Sequence, residues 1–147
     1  MEHNKNMMKR YYNDSWLAKL LLAFTSCHTI ALGPFVLSKK KELSQADRNH
    51  ETIHAVQWTE ITIVSCIVVL VLDVLFDNSP YWYFLSFVMY YIIYVIEWLI
   101  KTIIYLNGKK AYRSIGFERE AYINEDDNNY IENRHIFCGW LKKICCK

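Results

Sequence analysis

Two apolar runs, parted by only four residues, limit what this chain can fold into more than any other feature. Residues 58–76 and 81–100 carry three charged side chains between them, Glu60, Asp73 and Glu97. Each run is about as long as an α-helix needs to be to cross the hydrocarbon core of a bilayer, roughly 20 residues at 1.5 Å each. The apolar side chains go all the way round both helices instead of forming one stripe, as expected of a helix that meets lipid or other helices on every side. Trp58, Tyr81, Trp82, Tyr83 and Trp98 stand near the run ends, where aromatic rings favour the membrane interface. Asp77, Asn78, Ser79 and Pro80 form a turn. The expected fold is therefore mainly α, an integral membrane helical hairpin with a polar helical C-terminal segment.

A chain of 147 residues has room for one domain, residues 1–147. Within it, residues 1–15 are a polar N-terminus and 16–37 an apolar segment, either interfacial or spanning. Residues 49–106 hold the hairpin, and 107–147 a polar, cytoplasmic segment. Gly 4 and Pro 2 are too few for a turn-rich sandwich or a collagen-like fibre, and 16% aromatic residues argue against a disordered chain. A net charge of +2 gives no reason to expect nucleic acid. The turn at 77–80 carries no Lys or Arg, whereas Lys39, Lys40, Lys41 and Arg48 precede the hairpin and Lys101, Lys109, Lys110 and Arg113 follow it. The positive-inside rule then puts both flanks in the cytoplasm. A span over 16–37 would carry the basic N-terminus, with Lys5, Lys9 and Arg10, to the other side. An interfacial helix followed by an extended piece at Thr29, Ile30, Ala31 and Leu32, ended by Gly33 and Pro34, agrees better with that rule. The five cysteines are odd in number and match no zinc ribbon or disulfide framework. Cys145 and Cys146 read as exposed tail thiols, or as acylation sites in a eukaryotic host.

His50, Glu51, Thr52, Ile53 and His54 read HExxH. Histidines four apart share one helical face, so both imidazoles can reach one Zn²⁺ at about 2.0–2.1 Å. The Glu between them is placed to take a proton from the metal's water, whose pKa zinc lowers to about 7. Asp47 or Asn49 is the expected N-cap. A catalytic zinc needs a third protein ligand. Glu118 is the first candidate, Glu120 the alternative, and His135 a further one. Equal helical rise on both arms sets Glu60 at the level of Glu97, so Gln57 and Glu60 are expected to form a polar seam there, with a place beside the metal ligands as the other option.

HExxH, then a hydrophobic hairpin, then E-x-x-A-D resembles the gluzincin metallopeptidases of the HtpX and CAAX-prenyl-protease type, and the small minigluzincins. Here the last element reads Glu118, Arg119, Glu120, Ala121, Tyr122. The resemblance implies that Glu118 is the third zinc ligand. Tyr122 stands where those families have Asp, a carboxylate that orients a ligand histidine. The chain is also similar, over roughly residues 25–141, to small uncharacterised bacterial membrane proteins with N-HExIH-xxQ and FEREAY segments. Matching them are Asn49 to His54, Gln57 and Glu60, then Tyr112 to Ile115, Phe117 to Tyr122, and Asn124 with Glu125. This implies a multi-pass protein of the bacterial inner membrane. Gluzincins also set an edge strand beside the HExxH helix, and the run at Thr29–Leu32 is the candidate.

The expected activity is zinc-dependent endopeptidase cleavage of a peptide or membrane-protein substrate near the membrane surface. Metal ligands would be His50, His54 and Glu118, and Glu51 the general base. Tyr122, Arg134 and His135 are candidates to assist the oxyanion. The alternative is a non-catalytic membrane subunit or interaction protein of a larger membrane complex, with a structural or vestigial metal site. A soluble helical domain is a third reading.

Overall fold

The computed structural model describes residues 11–23, 27–76, 79–137 and 139–140. The basic N-terminal residues Lys5, Lys9 and Arg10, the turn residues Asp77 and Asn78, and Cys138, Cys145 and Cys146 lie outside the described residues. The fold is mainly helical. Its elements are β1 (Tyr11–Tyr12), α1 (Trp16–Leu21), β2 (Thr29–Leu32), β3 (Phe35–Ser38), α2 (Gln45–Phe76), α3 (Tyr81–Tyr105), α4 (Gly108–Ser114), α5 (Gly116–Asn124) and α6 (Tyr130–Asn133). Contacts group the chain into two units, residues 1–56 with 121–133, and residues 57–120 with 134–147. Helices α2 and α5 each contribute to both.

In the first unit, the apolar segment 16–37 becomes a short helix and a β-hairpin instead of one long helix. Ser15 caps α1, its hydroxyl accepting from Ala18 N. β2 and β3 pair antiparallel, from Thr29 opposite Ser38 to Leu32 opposite Phe35. Only Gly33 and Pro34 join them. Gly33 has φ 61°, the left-handed value that a type II′ turn asks of its first central residue. β1 adds parallel to β3, giving the order β1-β3-β2, so β3 is central and β2 an edge. Val36, Leu37 and Ser38 of the central strand are buried, as are Ala18, Leu43, Ile53 and Ala55.

Helix α2 begins four residues before the expected start. Ser44 and Asp47 form a reciprocal capping box: Asp47 N donates to Ser44 Oγ at 3.0 Å, and Ser44 N donates to Asp47 Oδ2 at 3.3 Å. Ser44 is thus the cap, not Asp47 or Asn49. The HExxH motif consequently begins in the second turn, where the helix is already propagated and its side chains hold a fixed register.

In the second unit, Ile61, Tyr90, Ile115 and Phe117 form a buried cluster, with Trp58, Met89, Tyr94, Tyr112 and Trp140 packed against it. α2 is 32 residues long and α3 25, and both are long and apolar enough to cross a membrane. Beyond Thr62 most of the large apolar residues of α2 are exposed, from Ile63 through Phe76. Equal helical rise does not describe how the two helices meet. Gln57 accepts from the Tyr90 hydroxyl at 3.4 Å, and Trp58 Nε1 donates to Phe87 O at 3.0 Å, about ten residues from the level expected. Glu97 therefore does not face Glu60. It accepts instead from Gly116 N at 2.9 Å and pairs with Lys101 at 2.6 Å, placing a carboxylate at the positive end of the α5 dipole. Leu106, at φ 49°, ends α3, and Asn107 caps α4 by accepting from Lys110 N.

Candidate metal centre

His50 and His54, one turn apart on α2, bring their Nε2 atoms to 3.1 Å. Two nitrogens bound tetrahedrally to one zinc at 2.0–2.1 Å stand about 3.3 Å apart, so this pair is spaced for a shared ion with little movement. The His50 ring is fixed on its other side by Glu125, whose Oε2 lies 2.8 Å from Nδ1. The Tyr122 ring packs edge-on against it, centroids 4.8 Å apart. His54 and Glu51 are both buried.

Glu118 lies in the first turn of α5, only 2% exposed. Its Oε1 accepts from the Tyr94 hydroxyl at 2.8 Å. One ligand atom each from His50, His54 and Glu118 fall within 4.8 Å of one another. This cluster could hold a metal ion. Two neutral imidazoles and a carboxylate suit zinc and several other divalent ions alike.

Glu120 takes a different place. Its carboxylate accepts from Arg134 Nε at 2.5 Å and from Gln57 Nε2 at 2.9 Å. Arg134 also forks onto Glu60, with Nη2 3.0 Å from Oε2 and Nη1 bonded to Oε1. The polar seam expected for Gln57 and Glu60 therefore exists, but its partners are Glu120 and Arg134, not Glu97. Burial opposes the Arg134 charge, yet the hydrogen bonds to Glu60 and Glu120 outweigh it and raise its pKa above the ordinary guanidinium value. The Arg134 cation thus pairs with two carboxylates, and among the described residues the acid grouped with His50 and His54 is Glu118, not Glu120. His135 is exposed. Tyr122 is the candidate that sits against His50.

Gly139 also belongs to this network. A Cβ at that position would run into the Glu120 carboxylate. Because Arg134 and Gln57 pin that carboxylate, it has no low-cost way to move aside. Gly139→Ala is expected to lower the thermal midpoint in detergent by several degrees, as overpacking typically costs about 1–3 kcal/mol. Gly108→Ala, where a Cβ meets nothing within 4 Å, is the control and should not lower it.

Glu51 lies between the two histidines in sequence and is 5% exposed. Thr29, the first residue of edge strand β2, donates its hydroxyl to Glu51 Oε1 at 2.5 Å. The extended piece expected at Thr29–Leu32 is thus an edge strand, and it touches the central Glu of the motif. The bonds of the Thr29 hydroxyl to Glu51, of Glu125 to His50 and of Arg134 to two carboxylates are not among the features expected from the sequence. Glu125 carried a signal only in its spacing, seven residues after Glu118 and three after Tyr122, the repeat of a helical face that α5 itself ends one residue short of. No protein-family model, curated protein or solved structure matches this chain.

Proposed function

We propose that the chain is a zinc-dependent endopeptidase of gluzincin type, anchored in a membrane by α2 and α3, with its site and both hairpin flanks on the cytoplasmic side of a bacterial inner membrane. The observation that carries this reading is the 3.1 Å approach of His50 and His54 Nε2, with a buried Glu118 carboxylate oxygen in the same 4.8 Å group. His50, His54 and Glu118 would hold the ion, which supplies a Lewis acid for the scissile carbonyl and lowers the pKa of water. Glu51 takes the proton from the attacking water and returns it to the leaving amine. The Thr29 hydroxyl keeps one Glu51 oxygen oriented, and the second oxygen does the proton transfer. Tyr122, whose ring packs on His50, would donate its hydroxyl to the developing oxyanion. The edge of β2 offers backbone groups to which an extended peptide can add as a further strand. Membrane lipids surround the exposed apolar side chains of α2 and α3, and substrates are peptides or membrane proteins with an accessible juxtamembrane segment.

The test is the metal content of the detergent-purified protein after equilibration with zinc. About one zinc per chain is expected in the wild type and none in His50→Ala. A wild type that stays empty overturns the reading. A zinc whose coordination shell is closed by four protein ligands, by X-ray absorption, would favour the non-catalytic subunit instead, because a catalytic ion keeps an open position.

A further inference from the structure

In the families that the HExxH helix resembles, an Asp four residues after the Glu ligand orients a ligand histidine. Here that position is Tyr122, whose ring packs on His50 but offers no carboxylate. A ligand imidazole without such a partner can rotate and can place its proton on either nitrogen, and both freedoms weaken a metal site.

The carboxylate is nonetheless present, three residues further on. Glu125 Oε2 lies 2.8 Å from His50 Nδ1. The His50 side chain is 13% exposed and that of Glu125 30%, so the pair is shielded more than an ordinary surface contact. The neighbouring residue holds the same stretch of chain. Asn49 Nδ2 donates to the Glu125 carbonyl at 2.8 Å and to Asn128 Oδ1 at 3.0 Å. Two consecutive residues of α2 thus grip residues 125–128, one through the backbone and one through the carboxylate. Tyr122 closes one side of the His50 ring and His54 another, each with centroids 4.8 Å away. With Nδ1 turned to Glu125, Nε2 is the nitrogen directed at His54 Nε2.

We infer that Glu125 is the positioning residue of the metal centre: from the turn that follows α5 it holds the proton of His50 on Nδ1 and presents Nε2 to the ion. The inference rests on the zinc-site reading, but its first readout needs no metal.

The experiment uses ¹⁵N-histidine-labelled full-length chain in detergent, with the His50 signals identified by their absence in His50→Gln. Metal-free wild type should show His50 protonated at Nδ1 and bare at Nε2. Glu125→Gln, whose amide can turn either its oxygen or its nitrogen to the ring, should lose that preference, and Glu125→Asp should keep it. Zinc affinity, measured by competition with a chelator, should fall about 10–100-fold in Glu125→Gln and Glu125→Ala, the usual effect of removing such a partner. Glu125→Asp should recover most of the loss. A His50 tautomer in Glu125→Gln identical to that of the wild type overturns the inference, as does unchanged zinc affinity in both non-acidic variants. If the wild type binds no zinc, the zinc-site reading fails, and the tautomer result alone decides whether Glu125 orients His50.

Discussion

Glu51→Gln should abolish peptide hydrolysis while leaving the bound metal in place. The amide keeps the shape of the side chain, and its oxygen still accepts the Thr29 hydroxyl, so the local packing around a residue only 5% exposed is preserved. What is lost is the ability to take a proton from water and return it to the amine. Loss of a general base of this kind costs about 10²–10⁴ in rate. The assay is cleavage of a quenched fluorescent peptide library by zinc-loaded protein in detergent, alongside metal analysis of the same preparation. A Glu51→Gln protein with full cleavage would show that the activity belongs to other residues or to a contaminant. His50→Ala separates the two functions from the other side, because metal and activity should disappear together.

Arg134→Met should be the most damaging single change to stability outside the apolar core. The Arg134 side chain is 3% exposed and holds two carboxylates, Glu60 at 8% and Glu120 at 1%. Two acids and one cation leave an excess negative charge even in the intact network, offset by donors such as Gln57 Nε2 and Phe137 N, which lies 3.2 Å from Glu60. Removing the guanidinium leaves two buried carboxylates uncompensated, which costs about 3–5 kcal/mol. For a chain of this length that corresponds to a fall of about 10 °C in thermal midpoint, measured by circular dichroism in detergent. Neutralising the acids as well, in Arg134→Met with Glu60→Gln and Glu120→Gln, should return much of the loss, because amides can be buried at lower cost than charges. A triple variant no better than the single one would locate the cost in lost packing of the arginine stem.

The sequence made some of this legible and hid the rest for identifiable reasons. HExxH declares its geometry because helical spacing alone brings His50 and His54 to one face. The two apolar runs declare long helices because nothing interrupts them. Gly33-Pro34 marked the end of an extended piece, and β2 is there. The start of α2 is also written in the chain, as Ser44 and Asp47, but Asp47 and Asn49 are cap-forming residue types closer to the motif, and only the reciprocal bonds single out Ser44. The partner of Glu60 was not legible. Arg134 lies 74 positions away, and level arithmetic on two helices assumes parallel axes, whereas Gln57 meets Tyr90 and not a residue near position 100. Glu120 could not be told from Glu118 by spacing, since the two lie two residues apart on one short helix. Only the side-chain partners separate them, Tyr94 for one and Arg134 with Gln57 for the other.

Helix α2 runs without a break from Gln45 to Phe76, so the histidines and the apolar stretch are successive turns of one helix. From His54 to Ile63, its first strongly exposed large apolar residue, the rise is roughly 14 Å. If that stretch lies in lipid as proposed, the rise of the helix between them sets how many residues of α2 part the proposed site from the hydrocarbon. An extended substrate covers that height in about four residues. The helix would then act as a ruler, admitting bonds a few residues from where a substrate leaves the bilayer and passing over those still inside it.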